Sequence, residues 1–310
     1  MAMLYMSQWS NGDLWRDLMT GHLPGLDFRI HPETGDPAEI DAVLVWRYPL
    51  DELRNFPNLK MIASLGAGVD HVVGERHLIP QGVTLTRIVD PAMTVQMTEW
   101  CVMAVLNHLR RWDDYRAMQR ERRYEELAVP RPDQTTIGVL GLGELGSDCA
   151  RVLAAVGYTV RAWSRSPRSQ EGLTCLHGTE AMQDFLAPCD IVICLLPLTQ
   201  ETRGIFNARS LSWMKRGAYI VNAARGAHIV EADLIAAIDA GQIAGATVDV
   251  QSIEPMPDDH PFWYHPRITS FPHVAALTVP ESCTAGIAAN YRRMQAGQPL
   301  QNVVDLERGY

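Results

Sequence analysis

The chain has 310 residues, enough for two domains of ordinary size, and its 47% apolar and 20% charged residues describe a globular protein rather than a disordered one. A formal net charge of −9 argues against nucleic acid as the main partner but leaves an anionic substrate open, because local field rather than net charge governs a pocket. The first six residues have neither the basic flank nor the apolar core of a secretory signal, and no apolar run approaches the ~18 residues that span a bilayer, so a cytoplasmic protein with no membrane partner is expected.

From the N-terminus, short apolar strands alternate with helical segments through 4–6, 14–19, 28–30, 42–46, 61–65 and 85–88, which predicts a parallel sheet with covering helices. From Asp90 a helical run through Met97, Trp100, Val105, Leu106 and Leu109 is expected to continue into a charged stretch ending near Glu126 and to carry the chain into a second domain. The six arginines of 110–126 are matched by five carboxylates, so that stretch reads as a solvated face, with Trp112, Tyr115 and Met118 spaced to meet a second subunit. Six cysteines (Cys101, Cys149, Cys175, Cys189, Cys194, Cys283) lack CxxC or Cys/His spacing; they are expected as reduced core residues, and no metal site is read.

After the loop signal Pro130-Arg-Pro132, the β-branched run Thr136, Ile137, Val139 feeds Gly141-Leu142-Gly143-Glu144-Leu145-Gly146, then an apolar helical pattern and a second strand over 158–163. That context is what the GxGxxG fingerprint of a dinucleotide site requires: a tight turn at Gly141, close backbone approach at Gly143, helix packing at Gly146, and phosphates on the helix N-terminus. Roughly 20 residues on, NAD-selective sites carry an acidic residue for the ribose. Here Ser164, Arg165 and Ser166 stand there instead; a guanidinium pairs with a 2′-phosphate where a carboxylate would repel it, so NADP(H) is expected over NAD(H). Further strands are expected at 191–196, 219–223, 246–250 and 268–271, with helices near 181–186, 231–240 and 280–295. The last helix is free to return and cover the first domain. The reading is therefore α/β, two doubly wound parallel-sheet domains, with a Rossmann dinucleotide-binding domain (99–280) inserted into a flavodoxin-like substrate domain (1–98 plus 281–310).

Three residues follow predicted strands, where open α/β sheets place their ligands: Arg225 in Val221-Asn-Ala-Ala-Arg-Gly226, Glu254 before Pro255, and His273 after Phe271-Pro272. A guanidinium can hold the carboxylate and carbonyl oxygen of a keto acid and stabilise charge on that oxygen. An imidazole can exchange the proton that accompanies hydride transfer, and a carboxylate bonded to it favours the imidazolium.

Together with Leu196-Pro-Leu-Thr-Gln-Glu-Thr202, Val248-Asp-Val250 and Pro272-His-Val-Ala275, these segments resemble the D-isomer-specific 2-hydroxyacid dehydrogenase family over almost the whole chain. Trp163-Ser-Arg-Ser166 and the closing Arg308-Gly-Tyr310 resemble its bacterial glyoxylate/hydroxypyruvate reductase branch. The resemblance implies NADPH-dependent reduction of small 2-keto acids, glyoxylate to glycolate and hydroxypyruvate to D-glycerate, by a homodimer. Arg225 then orients substrate, His273 is the acid/base and Glu254 its dyad partner. Asp249 lies near the nicotinamide, and Pro197, Thr202 and Ala223 belong to the cofactor cleft. Leu65, Gly66, Ala67 and Gly68 match the family's substrate loop, whose N–H groups bind the carboxylate, and Trp46 matches a pocket wall. The chain departs from the family at Gln251, where Phe is frequent after Asp-Val, and at Arg47-Tyr48. A reductase of a bulkier 2-keto acid and a dinucleotide-sensing regulatory protein on the same fold stay open as alternatives.

Overall fold

The computed structural model describes residues 1–310 and divides them into two compact units, Met1–Met93 with Thr278–Tyr310, and Thr94–Leu277. The first unit holds strands β1 (Ala2–Ser7), β2 (Asp27–Ile30), β3 (Ile40–Trp46), β4 (Met61–Ser64) and β5 (Thr84–Thr86) in one parallel sheet of order β2-β1-β3-β4-β5, the flavodoxin-like arrangement. Both faces of the sheet are covered, so its central strands are apolar without alternation. Leu4, Met6, Val43, Val45, Ile62 and Leu85 pack in one cluster. The helices Gly12–His22 and Pro280–Gln295 lie together, as expected of a last helix that returns to the first domain, and Tyr291 of the latter donates a hydrogen bond to buried Asp41 at 3.0 Å.

The second unit holds β6 (Thr136–Leu140), β7 (Thr159–Ser164), β8 (Thr174–His177), β9 (Ile191–Cys194), β10 (Ala218–Asn222), β11 (Ile243–Val248) and β12 (Ile268–Ser270). They form one parallel sheet of order β12-β11-β10-β9-β6-β7-β8, the doubly wound dinucleotide-binding order with one strand added beyond β11. Successive residues serve opposite faces: Ile191, Ile193, Tyr219 and Val221 join one core cluster, Val192, Cys194 and Ile220 the other. The first face is covered by Pro91–Leu109 and Glu144–Val156 through Trp100, Cys101, Val105, Cys149 and Leu153. The second is covered by Met182–Leu186, Ala208–Trp213 and Glu231–Asp239 through Phe185, Leu211, Leu234 and Ile238.

The helix expected to run unbroken from Asp90 to Glu126 is two helices. The first ends at Leu109, Arg111 takes a left-handed conformation (φ 58°), and a second helix, Trp112–Glu121, is closed by Arg122, also left-handed (φ 57°). Charge and periodicity continue through Arg111, so the break has no signature in the apolar pattern. Likewise, β8 and the short helix Ala208–Trp213 were not in the apolar pattern. The latter is set by a capping box in which Asn207 Oδ1 accepts the N–H of Ser210 and Ser210 Oγ accepts that of Asn207.

Two stability measurements follow from this packing. A Cβ at Gly146 would lie 1.8 Å from the Gly141 carbonyl oxygen, so Gly146→Ala is expected to cost about 1–3 kcal/mol, read by urea denaturation. Burial, helped by Arg111, pulls the His108 imidazole, stacked on Tyr219 at 3.8 Å, down to about 4. The unfolded chain then binds the extra proton first, so His108 destabilises the fold as pH drops from its ordinary value near 6.5 toward 4, with a slope of up to about 1.4 kcal/mol per pH unit. In His108→Phe, the same titration is expected to lose that slope.

Candidate active site

In the second unit the strand order reverses between β6 and β9, and the loops leaving their carboxyl ends meet there. Leu195 N–H donates to the Leu140 carbonyl at 2.8 Å, and a Cβ at Gly141 would lie 2.8 Å from the Leu195 carbonyl oxygen. Gly141 has φ 106°, which a side chain would strain, while Gly143 faces open space. Leu142 is buried, Leu145 half-buried and Glu144 exposed; Glu144 opens the helix Glu144–Val156, whose first-turn N–H groups have no intrahelical acceptor. Across the switch point, Thr202 Oγ1 donates to the Pro197 carbonyl at 2.7 Å, which fixes the loop after β9, and Ala223 is buried with its N–H on the Cys194 carbonyl.

Ser164 ends β7, buried, and its hydroxyl donates to the Ser166 carbonyl at 2.8 Å, which turns the loop and leaves Arg165 and Ser166 at its rim. Arg165 lies 3.4 Å from Glu201. A second guanidinium, Arg168, bonds the Leu142 carbonyl of the glycine loop at 2.7 Å. Sequence reasoning passed over Arg168; the signal was a second arginine three residues after the first.

Arg225 follows β10, half-buried. Its turn is held by two buried residues that the sequence reading did not single out. Asn222 accepts the Ala224 N–H at 3.1 Å and donates to the Arg225 carbonyl at 2.9 Å, and fully buried His228 accepts the Arg225 N–H through Nδ1 at 3.2 Å. Asn222 closes an apolar strand, so its side chain had only the backbone to bond, and that was the available signal.

His273 and Glu254, 19 positions apart, are in contact: Nδ1 lies 2.9 Å from Oε2, with 29% and 19% of the side chains exposed. His273 is left-handed (φ 57°), and Asp249 at the end of β11 holds it there. The Asp249 carbonyl accepts the His273 N–H at 2.7 Å, and its two carboxylate oxygens accept those of Val274 and Ala275 at 2.8 and 2.9 Å. Burial pushes the Asp249 carboxyl up from the ordinary aspartate range, against the opposing pull of those two N–H groups. Because both its oxygens are engaged by the loop, Asp249 acts on the geometry of His273. Arg225, Asp249 and the His273 loop leave three adjacent strands, β10, β11 and β12, at their carboxyl ends.

In the first unit the order reverses between β1 and β3, and the loops after β1, β3 and β4 gather there. Gln8 N–H donates to the Trp46 carbonyl, and Trp9 stacks on Trp46 at 5.3 Å. The Trp46 ring covers the loop after β4, since a Cβ at Gly66 would lie 2.2 Å from it. Arg47 is left-handed (φ 46°) with its guanidinium 5.7 Å from the Trp46 ring, and Tyr48 is tied to His31, which bonds Glu52. The carbonyls of Leu65 and Gly66 are drawn inward by Thr278 Oγ1 at 2.7 Å and Ile88 N–H at 3.2 Å, and Ala67 and Gly68 follow, half-buried, before the turn of helix at Asp70. With its carbonyls turned in and the Leu65 N–H donated to the Val45 carbonyl at 3.0 Å, the loop has the N–H groups of 66–68, not that of Leu65, to offer an anion.

Residues 102–275 match the family profile of the D-isomer specific 2-hydroxyacid dehydrogenase NAD binding domain. The chain is 42% identical over 300 residues to glyoxylate/hydroxypyruvate reductase A of Yersinia enterocolitica, covering 96% of each, and 40% identical over 314 residues to that of Serratia proteamaculans, covering 100% of each. Among solved structures it is similar to a D-isomer specific 2-hydroxyacid dehydrogenase from Xanthobacter autotrophicus in complex with NADPH and MES (41% identity, TM-score 0.95, 100% of this chain and 99% of that one). It is also similar to an NADPH-dependent glyoxylate/hydroxypyruvate reductase from Sinorhizobium meliloti in complex with NADP and sulfate (34% identity, TM-score 0.93, the same coverage). A dinucleotide-binding strand order, an imidazole paired with a carboxylate beside it and full-length similarity to these enzymes converge: the chain belongs to the D-isomer specific 2-hydroxyacid dehydrogenase family.

Proposed function

We propose that the protein reduces small 2-keto acids with NADPH, glyoxylate to glycolate and hydroxypyruvate to D-glycerate. The observation that carries the reading is the His273–Glu254 contact of 2.9 Å, set at the strand ends beside the Arg225 turn. When bound, the reduced nicotinamide supplies the hydride. His273 gives its proton to the keto oxygen from Nε2, since Nδ1 faces Glu254, and the carboxylate holds the ring in that orientation. Arg225 holds the substrate and polarises the same oxygen. Asp249 belongs to the nicotinamide end of the site and acts there by holding the His273 loop.

The residues fit the cofactor. Gly143 leaves the approach to the helix N-terminus open, Gly141, Leu142, Glu144, Leu145 and Gly146 frame it, and Pro197, Thr202 and Ala223 form the facing loops. Arg165, with Ser166, is assigned the 2′-phosphate, where Arg168 adds a second positive charge, while Ser164, its hydroxyl proton given to the Ser166 carbonyl, shapes the turn; this supports NADP(H) over NAD(H). In the first unit, the N–H groups of 66–68 are assigned the substrate carboxylate, and Trp46 keeps the substrate small. We place the enzyme in the cytoplasm as a homodimer. Six free cysteines suit a reducing compartment, and Trp112 and Tyr115 are 52% and 37% exposed on one helix, whereas Met118, expected beside them at a subunit contact, is buried within the unit. No helix is long and apolar enough to cross a membrane.

His273→Ala is expected to lower kcat for glyoxylate by about 10²–10⁴-fold while the Kd for NADPH, read by fluorescence titration, changes little. Intact turnover in that variant would refute the assignment. Arg165→Ala is expected to weaken NADPH relative to NADH by about 1.5–3 kcal/mol; equal losses for the two would place the 2′-phosphate elsewhere. Relative kcat/KM over glyoxylate, hydroxypyruvate and phenylpyruvate separates a small-substrate enzyme from one for bulkier acids.

A further inference from the structure

Five hydrogen bonds clip the chain leaving β11 to the loop that carries His273. Four take N–H groups of that loop: Phe271 to the Val248 carbonyl, His273 to the Asp249 carbonyl, and Val274 and Ala275 to the Asp249 carboxylate. The fifth takes a carbonyl: Gln251 Nε2 donates to Phe271 O at 3.1 Å, two residues before His273. Gln251 is buried, with 7% exposed. Its backbone N–H donates to Glu254 Oε1 at 3.3 Å, on the carboxylate whose other oxygen meets His273. A Cβ at Gly226 would lie 2.0 Å from the Gln251 carbonyl carbon, so the turn carrying Arg225 also rests on this residue.

One residue thus contacts the segments bearing all three members of the proposed site, and it reaches the His273 loop through its side chain. We infer that Gln251 is a positioning residue for proton delivery, whose side-chain amide holds the His273 loop in register with Glu254. The inference rests on the functional reading above.

The physical reason is the carbonyl. An apolar side chain at 251 fills the space but leaves Phe271 O without this donor, and the Phe271-Pro272 peptide, then held only through the N–H groups on either side of it, can shift by a small amount. A left-handed His273 has no intrinsic preference that would restore it. Small displacements of a reacting group cost rate more than affinity when the group acts only in the transition state.

The test uses Gln251→Met and Gln251→Glu in the full-length enzyme, with kcat expressed per NADPH-binding site so that misfolded protein does not count. Both variants keep the side-chain volume and lose the amide donor. Each is expected to lower kcat for glyoxylate about tenfold with KM and the NADPH Kd within about twofold, and to enlarge the solvent deuterium isotope effect on kcat, because the proton becomes harder to deliver. Ser210→Ala, which removes a helix cap in the same unit, is the stability control; it is expected to lower the melting temperature and leave kcat and the isotope effect unchanged. Unchanged kcat in either Gln251 variant, or a loss with no change in isotope effect, overturns the inference alone. Failure of the unaltered protein to oxidise NADPH with any small 2-keto acid overturns the functional reading and the inference with it.

Discussion

Asp249 is 1% exposed at the carboxyl end of β11, and both its oxygens are taken up by the N–H groups of Val274 and Ala275. A left-handed residue other than glycine costs about 1–3 kcal/mol, and His273 pays this only because its neighbours are held from the next strand. Hydrogen bonds to a charged acceptor contribute about 1.5–3 kcal/mol each, which is enough to offset both the strain and part of the burial of the charge. Glu254 then meets an imidazole whose backbone is already fixed, and this pre-organisation costs nothing at the moment of proton transfer.

The same logic recurs wherever the two sheets reverse direction. At the β6/β9 reversal the backbone packs so closely that glycine is required at 141 and 146, and the open face of Gly143 is left where a phosphate can approach. At the β1/β3 reversal of the other unit, an indole rather than a glycine turn limits the space, because Trp46 covers Gly66 and is backed by Trp9. One reversal thus leaves backbone open at Gly143, and the other is narrowed by an indole.

Much of this was legible in the residues. The apolar runs of β6, β9 and β10 are continuous because both faces are buried, and a run feeding GxGxxG into a helix has few other readings. Arg225, Glu254 and His273 could be singled out because each follows a strand. What their supports bond could not be read. Asn222, His228 and Gln251 are polar residues whose partners lie on the backbone of loops, and a hydrogen bond to a carbonyl 20 positions away, as from Gln251 to Phe271, has no periodicity to betray it. Arg111 broke an expected helix for a related reason: a left-handed φ at a charged residue is a choice of local packing and not of residue type.

By itself the sequence determined most of the segments that become strands, that a dinucleotide loop follows β6, and that a guanidinium rather than a carboxylate follows β7, since these are properties of periodicity and residue chemistry over short spans. Tertiary structure alone decided the strand order, the contact between His273 and Glu254, and the clamping of the His273 loop by Asp249 and Gln251. Those depend on which strands lie side by side, and adjacency between strands distant in the chain is settled by burial of both sheet faces at once, a constraint that no local window contains.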